Sequence, residues 1–351
     1  MSAVMDAPIP ATPPTRRSAG VWTAAARRFR SDRVGVVSLV VVALFILLVL
    51  SAAVGLVAGD WQAERGVPDA PPTFVGPAAP TESIAAAAPS GPNVDISAID
   101  PLAPRYAEWA EAAKKYQTTE AVKAQTLPFG GDRLGRDVLA KAIKGAQVSI
   151  LVGVSAAALA TLIGTLLGAV AGFFGGKVGD FLEWVYNVFT AIPGILLIFA
   201  FAAVLGRGIG TVVIILGLTG WTGMYRQVRA EFIKHSTREY VRAAEAIGAS
   251  PLSRMFRHIL PNISHVMLVR LGLLVVGFIK AEVILSYLGL GVPVDAVSWG
   301  TMLAEAQAEL ILGHWWQLAT ATVFMAVFVT AFSLMADAAR DALDPKLRGL
   351  E

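Results

Sequence analysis

Several stretches of this chain run without a charged side chain for long enough to cross a bilayer, and no other feature limits its fold so strongly. They cover residues 34–59, 145–176, 184–206, 208–225 and 315–336. A sixth, 271–294, is interrupted only by Lys280 and Glu282. About 20 residues at 1.5 Å rise cross a hydrocarbon core of about 30 Å. Composition agrees: 55% of the 351 residues are hydrophobic and 16% charged, where soluble domains carry about 25%, and mean hydropathy is +0.62. The expectation is an all-α polytopic membrane protein with six transmembrane helices.

Charge distribution orients those spans. Arg16, Arg17, Arg27, Arg28, Arg30 and Arg33 precede the first run against Asp6 and Asp32, and Lys and Arg near span ends stay on the cytoplasmic side. The run after Arg33 exceeds the apolar core of about 7–15 residues found in a cleaved signal, so it reads as a retained anchor. Six spans from an inside start put both termini in the cytoplasm. They also place Arg226, Arg229, Lys234, Arg238, Arg242, Arg254, Arg257 and Arg270 in one internal loop, while residues 288–316, on the outside, hold no Lys or Arg. Arg207, in a short external turn, is the exception.

The chain therefore divides into a basic cytoplasmic segment (1–33), a first anchor (34–59), a large external loop between spans 1 and 2 (60–144), a five-helix core (145–338) and a cytoplasmic tail (339–351). Within the loop, the Pro/Ala-rich residues 67–104 read as irregular linker. In residues 105–125, Tyr106, Trp109, Ala113 and Tyr116 recur at helical spacing. That surface helix can dock a partner, lie on lipid, or cover the protein's own mouth.

Few side chains in the spans carry chemistry. Gly164, Gly168, Gly172 and Gly176, each four apart, form a bare stripe on one helix face, which lets backbones approach where lipid offers no hydrophobic drive. Packing within the chain and a dimer contact both fit it. Residues 171–178, AGFFGGKV, brush against a P-loop but lack its first Gly and carry Val178 where the Mg²⁺-binding hydroxyl belongs, so any ATP is bound by another chain. Lys280 and Glu282 lie deep in the run 271–294, where ionisable groups are costly enough to be functional candidates. Being two apart, they point to different faces. Cysteine is absent, and His235, His258, His265 and His314 have no metal-ligand spacing, so no metal site is expected. Nothing suggests a nucleic-acid partner.

The internal loop is the unusual part. Residues 228–247 contain no Pro or Gly; Phe232, Val241, Ala244 and Ile247 favour one helical side, and Arg238, Glu239, Arg242 and Glu245 the other. Gly248 suits the left-handed residue that ends a helix. Ser250 can cap a second helix with Pro251 at its first position, presenting Leu252, Met255, Phe256, Ile259 and Leu260 until Pro261 stops it. An apolar ridge in a basic frame fits a groove on another protein or an anionic lipid surface.

These residues resemble the cytoplasmic EAA loop of bacterial ABC-importer permeases, E-A-A, three residues, G, nine residues, I-x-L-P. The match is Ala243, Ala244, Gly248, Leu260 and Pro261, with Arg242 in place of Glu and His258 in place of Ile. EYVRAA (239–244) and RHILPN (257–262) are similar to the peptide/nickel branch. So are FGGDRLGRDVLAKAIKGAQVSILVG (129–153), AEVILSYLGLGV (281–292), SWGTMLAEAQ (298–307) and ADAARDALDPKLR (336–348), and ARRFRSDRVGVVSLVVV (26–42) resembles the start of its C-type permeases.

The resemblance implies an inner-membrane permease subunit for di- or oligopeptides, beside a second homologous permease, two ATPase subunits and an external solute-binding protein. ATP and Mg²⁺ would sit on the ATPases, with no cofactor on this chain and no bond made or broken by it. Residues 227–263 would be the coupling loop, with Glu239, Tyr240, Ala243, Ala244, Gly248, Ala249, Ser250, Leu260 and Pro261 at the contact. Two other readings compete. A proton-coupled secondary transporter would use Glu282 and leave 243–261 without a purpose. A membrane-embedded hydrolase would need an H-E-x-x-H, a G-x-S-x-G or an aspartate pair, and the spans hold none.

Overall fold

The computed structural model describes residues 21–77, 100–114, 123–293 and 295–343. Helices dominate them, in the order α1 (Val21–Ser31), α2 (Arg33–Ala53), α3 (Tyr106–Lys114), α4 (Val138–Phe174), α5 (Gly176–Ala191), α6 (Gly194–Leu205), α7 (Ile209–Gly220), α8 (Thr222–Ser236), α9 (Glu239–Ala246), α10 (Pro251–Ser253), α11 (Leu260–Tyr287), α12 (Trp299–Ile311) and α13 (Trp316–Leu343). Among the described residues, α2, α4 and α13 are individually long and apolar enough to cross a membrane. Counting the bent pair α5–α6 as one span makes four. Helix α11 has the length, with 28 residues, but Arg270, Lys280 and Glu282 fall inside it.

Local chemistry sets the helix ends and shifts them from the sequence expectation. Asp32 caps α2 by accepting from the Val34 N–H at 2.9 Å, and the helix stops at Ala53, short of residue 59, where Gly55 (φ 77°) and Ala58 (φ 54°) turn the chain. Asp137 caps α4 through the Leu139 and Ala140 N–H groups, so that helix starts seven residues before the apolar run and reaches about 55 Å at 1.5 Å per residue.

The third run does not form a straight span. It breaks at Ile192–Pro193, and α5 and α6 meet at 86°. Proline supplies no N–H and drives the residue before it into extended geometry, and Ile192 has ψ 133°. The fourth run is likewise divided, with Trp221 between α7 and α8.

Packing orders the helices. Gly153 of α4 sits against Ile279 of α11, and Ser149 of α4 bonds Glu282 of α11, so α4 and α11 are antiparallel. Gly35 of α2 meets Ala338 of α13, while Phe45 meets Phe324 and Phe328; these two also run antiparallel. Ala146, Ala156, Ala157, Ala160, Ile279, Trp299 and Phe328 fill the core between them. The ends of α4 and α8 and the start of α11 share one end of the bundle, the hairpin end, with α9 and α10.

The opposite end, the loop end, carries residues 60–77 paired with 123–137. Short bridges join Glu64 to Arg136, Gly66 to Ala124 and Pro72 to Leu127. Residues 67–77, expected as linker, are thus held: the Asp69 N–H donates to Asp132 O, the Thr73 N–H to Leu127 O, and Ala70 is buried. Helix α3 covers Tyr106 and Trp109, whose rings lie 5.8 Å apart; Tyr116 and the end of that expected helix lie outside the described residues. Helix α12 was not read from the sequence, although Ser298 and Thr301 cap it reciprocally.

Candidate functional site

The polar segment after α8 folds into a helical hairpin, with two departures from its sequence reading. The helix expected over residues 228–247 breaks at Thr237, and α9 starts afresh at Glu239 with Arg238 extended (ψ 150°). Gly248, at φ 87°, reverses the chain after α9, and the Ser250 hydroxyl accepts from the Ser253 N–H at 3.3 Å with Pro251 in the first turn. Pro261 does not stop the second helix. Residues Arg254–Ile259 widen into a π turn, the Leu260 N–H reaches Met255 O, and α11 continues through Pro261. A proline ring clashes with the carbonyl four residues back and leaves it without a donor; the wider turn accommodates both faults.

The ridge divides between inward and outward positions. Val241, Met255 and Ile259 are buried with Ala169 of α4 and Met224, Val228 and Phe232 of α8. Ala244 is buried as well. Ile247 is 86% exposed and Leu252 63%, and Phe256 and Tyr240 are also exposed; Ile247 therefore lies off the side assigned to it from spacing. Glu239, Ala243 and Pro261 are exposed, Ala249 and Leu260 half-buried. The outward face is apolar at its tip and edged by the exposed Arg238, Arg242 and Arg257.

Polar contacts join the hairpin's two helices to each other and to α4 and α8. Arg254 pairs with Glu245 at 2.7 Å and lies 5.3 Å over the Phe173 ring at the end of α4. His235 Nδ1 lies 2.8 Å from the Tyr240 hydroxyl, joining α8 to α9. Asn262 donates to the His258 carbonyl at 2.6 Å.

The glycine stripe seats the helix that carries the hairpin. A Cβ on Gly164 would stand 2.6 Å from Trp221 O, one on Gly168 2.7 Å from Tyr225 O, and one on Gly172 2.6 Å from Arg229 O. Helices α4 and α8 are therefore parallel and in backbone contact, so these three glycines serve packing within the chain. Gly176 is not part of it: it starts α5 at φ 48° with nothing within 4 Å of a Cβ. Helix α4 ends at Phe174, before the fourth repeat is reached.

Lys280 and Glu282 occupy opposite environments. Lys280 is exposed. Glu282 is wholly buried, accepting from Ser149 of α4 and Ser286 of α11 at 2.6 Å each. Those serines in turn accept from the Trp299 and Val292 N–H groups at 3.3 Å. The carboxylate thus ties α4, α11 and the start of α12 together.

At the loop end lies a polar cluster that the sequence reading missed. Asp132 accepts from Arg136 Nε at 2.6 Å and Lys141 Nζ at 2.7 Å, and Lys141, itself buried, also reaches Glu305 at 2.5 Å and Gln317 at 3.3 Å. Burial pushes the Asp132 carboxyl up, but the Lys141 charge and hydrogen bond outweigh it and hold the pKa below the ordinary value. Glu309 is pushed up to about 7 by burial, against the Arg133 N–H and Lys141. His314 Nδ1 stands 3.3 Å from Asp69. The signal was present in the DRLGRD stretch, but its partners lie more than 160 positions later in the chain.

Residues 164–349 match the family model described as the binding-protein-dependent transport system inner membrane component. The chain is 31% identical over 339 residues to the oligopeptide transport system permease protein OppC of Bacillus subtilis (strain 168), covering 95% of this chain and 92% of that protein. The dipeptide transport system permease protein DppC of the same organism is 37% identical over 235 residues, 65% of this chain and 73% of its own. The glutathione transport system permease protein GsiD of Shigella dysenteriae is 37% identical over 223 residues, covering 63% of this chain and 73% of its own. By that near full-length match and the family model, the chain belongs to the inner-membrane permeases of binding-protein-dependent ABC transport systems.

Proposed function

We propose that the chain is the C-type permease subunit of a peptide importer and that its hairpin is the coupling element through which ATPase subunits move the spans. The carrying observation is the division of labour in 239–262: Val241, Ala244, Met255 and Ile259 are committed to the chain's own packing, while Ile247, Leu252 and Phe256 face outward. A lipid-lying helix would turn its whole apolar side one way, whereas this hairpin splits it. The transport systems of the relatives, for oligopeptides, dipeptides and glutathione, favour a peptide substrate.

In this reading six spans cross the inner membrane with both termini inside: α2, α4, the bent pair α5–α6, α7 with α8, α11 and α13. The hairpin end is cytoplasmic, and the loop end faces the solute-binding protein. A second homologous permease completes the path, and ATP and Mg²⁺ bind the ATPase subunits. Glu282 is a structural tie, its carboxylate occupied by two hydroxyls.

The test is co-purification. With Ile247→Glu and Leu252→Glu combined, the chain should still reach the membrane but lose its ATPase subunits and its peptide uptake. Unchanged ATPase retention would overturn the coupling assignment. Uptake that persists without any ATPase subunit would overturn the importer reading.

A further inference from the structure

Between α8, α11 and α13, at the hairpin end, lies a cavity of about 390 Å³ whose polar lining is Gln227, His265, Arg270 and Arg340, with no carboxylate. Among the described residues neither arginine makes an ion pair within 4.0 Å, and Arg270 Nε is buried without a hydrogen-bond partner. Gly223 of α8 makes the room: a Cβ there would collide with the Arg270 guanidinium. Half-buried Arg270 and exposed Arg340 thus line one cavity, and Arg270 keeps a buried donor without a partner. A buried guanidinium N–H without a partner is costly, so an oxyanion is the complement this cavity lacks.

A second cavity, about 510 Å³, adjoins it and shares Val269 and Leu343. Its lining is wholly apolar and runs between α4, α11 and α13 past Leu271, Met335, Val154, Val275 and Phe332. Since α11 starts at the hairpin end, Val275 and Phe332 lie deeper in the bundle than Arg270 and Arg340. The order from the end inward is cationic pocket, shared aliphatic collar, apolar groove.

We infer that this pair of cavities seats one anionic phospholipid, its phosphate between Arg270 and Arg340 and an acyl chain along the α4–α11–α13 groove. A free phosphate would use the first cavity and leave the second empty; a neutral lipid would use the second and leave two arginines unmatched. Only an amphiphile with an anionic head uses both, and basic pockets between spans on the cytoplasmic side are where such heads bind. The inference rests on the proposed topology, which puts Arg270 and Arg340 at the inner leaflet. The lipid would wedge α11, which follows the hairpin directly, against α13.

The test is native mass spectrometry of the importer complex, reconstituted in nanodiscs of phosphatidylcholine with or without phosphatidylglycerol and released into detergent. The complex should retain phosphatidylglycerol and not phosphatidylcholine, and inorganic phosphate should not displace it. Combining Arg270→Gln and Arg340→Gln should weaken retention roughly thirtyfold, each charge near an anionic surface contributing about fivefold. Ala339→Trp, which fills the groove and keeps both charges, should abolish retention in a variant that still elutes as an assembled complex. Equal retention of phosphatidylcholine, displacement by phosphate, or unaltered retention in both variants would overturn the inference. So would a cross-link from Val275→Cys to the second permease subunit, which would give the groove to that subunit. The topology is read separately: if Arg340→Cys is labelled only from outside, the orientation fails, whatever the lipid result.

Discussion

The guanidinium of Arg254 stands 2.7 Å from the carboxylate of Glu245, so the strand of chain after Gly248 is tied back to α9 across the turn. Glu245 is largely exposed, and a pair of that kind contributes about 0–1 kcal/mol to stability. Glu245→Gln should therefore leave the thermal midpoint nearly unchanged. Glu245→Lys sets a like charge against Arg254 and should lower substrate-stimulated ATP hydrolysis several-fold in proteoliposomes, with normal insertion. Wild-type stimulation in the lysine variant would show that the hairpin's internal pairing is irrelevant to coupling.

Gly248 has φ 87° and open space around it, so a substitution there is penalised by backbone strain alone. For most L-residues that strain is about 1–2 kcal/mol, and Asn suffers least. Uptake should fall in the order Gly248→Asn, Gly248→Ala, Gly248→Val at equal membrane levels. Ala244→Asp is a different experiment: Ala244 is buried beneath the hairpin, so the variant should lose uptake by disrupting packing, with a lowered thermal midpoint. Equal uptake in Gly248→Val and wild type would contradict the turn's role.

A Cβ on Gly168 meets Tyr225 O at 2.7 Å and Val228 Cβ at 3.0 Å, and backbone carbonyls cannot step aside as a side chain can. Gly168→Ala should destabilise the purified protein by about 1–3 kcal/mol, the range for overpacking. Gly194→Ala, at the start of α6 with nothing within 4 Å, serves as the control and should be close to neutral. Differential scanning calorimetry on the two variants decides the matter.

Two carboxylates at the loop end give opposite pH signatures. Glu309 has a raised folded pKa, about 7, so its contribution is fully present below the ordinary carboxyl value and is lost as pH rises toward 7. Asp132 has a depressed one, so its contribution is present above its ordinary value and lost as pH falls below it. Glu309→Gln should raise the thermal midpoint at pH 8 relative to wild type and leave it almost unchanged at pH 5. An equal shift at both pH values would remove Glu309 as the source.

Much of the architecture was legible because bilayer physics writes it in long uncharged runs, and the hairpin because Gly248, Ser250 and Pro251 carry local instructions. What failed was context. Residues 184–206 were read as one uninterrupted span, yet the chain turns by 86° at Ile192–Pro193. Pro261 was read as a stop, yet a π turn carries the helix through it. Ile247 was grouped with Phe232, Val241 and Ala244 by periodicity, but α9 ends at Ala246 and leaves Ile247 at its C-cap, exposed while Val241 and Ala244 are buried. Lys141, Glu305 and Gln317 could not be paired from sequence, since only the fold brings α4, α12 and α13 together.

The central claim is that the outward face of the hairpin touches an ATPase subunit, and this chain suits a direct measurement because it has no cysteine of its own. Leu252→Cys places a single thiol on that face, and a thiol-to-amine cross-linker applied to native membranes reports its neighbour. The account predicts one dominant adduct with an ATPase subunit, altered in yield when ATP is added. An adduct pattern without any ATPase subunit, at wild-type levels of assembled importer, would contradict it.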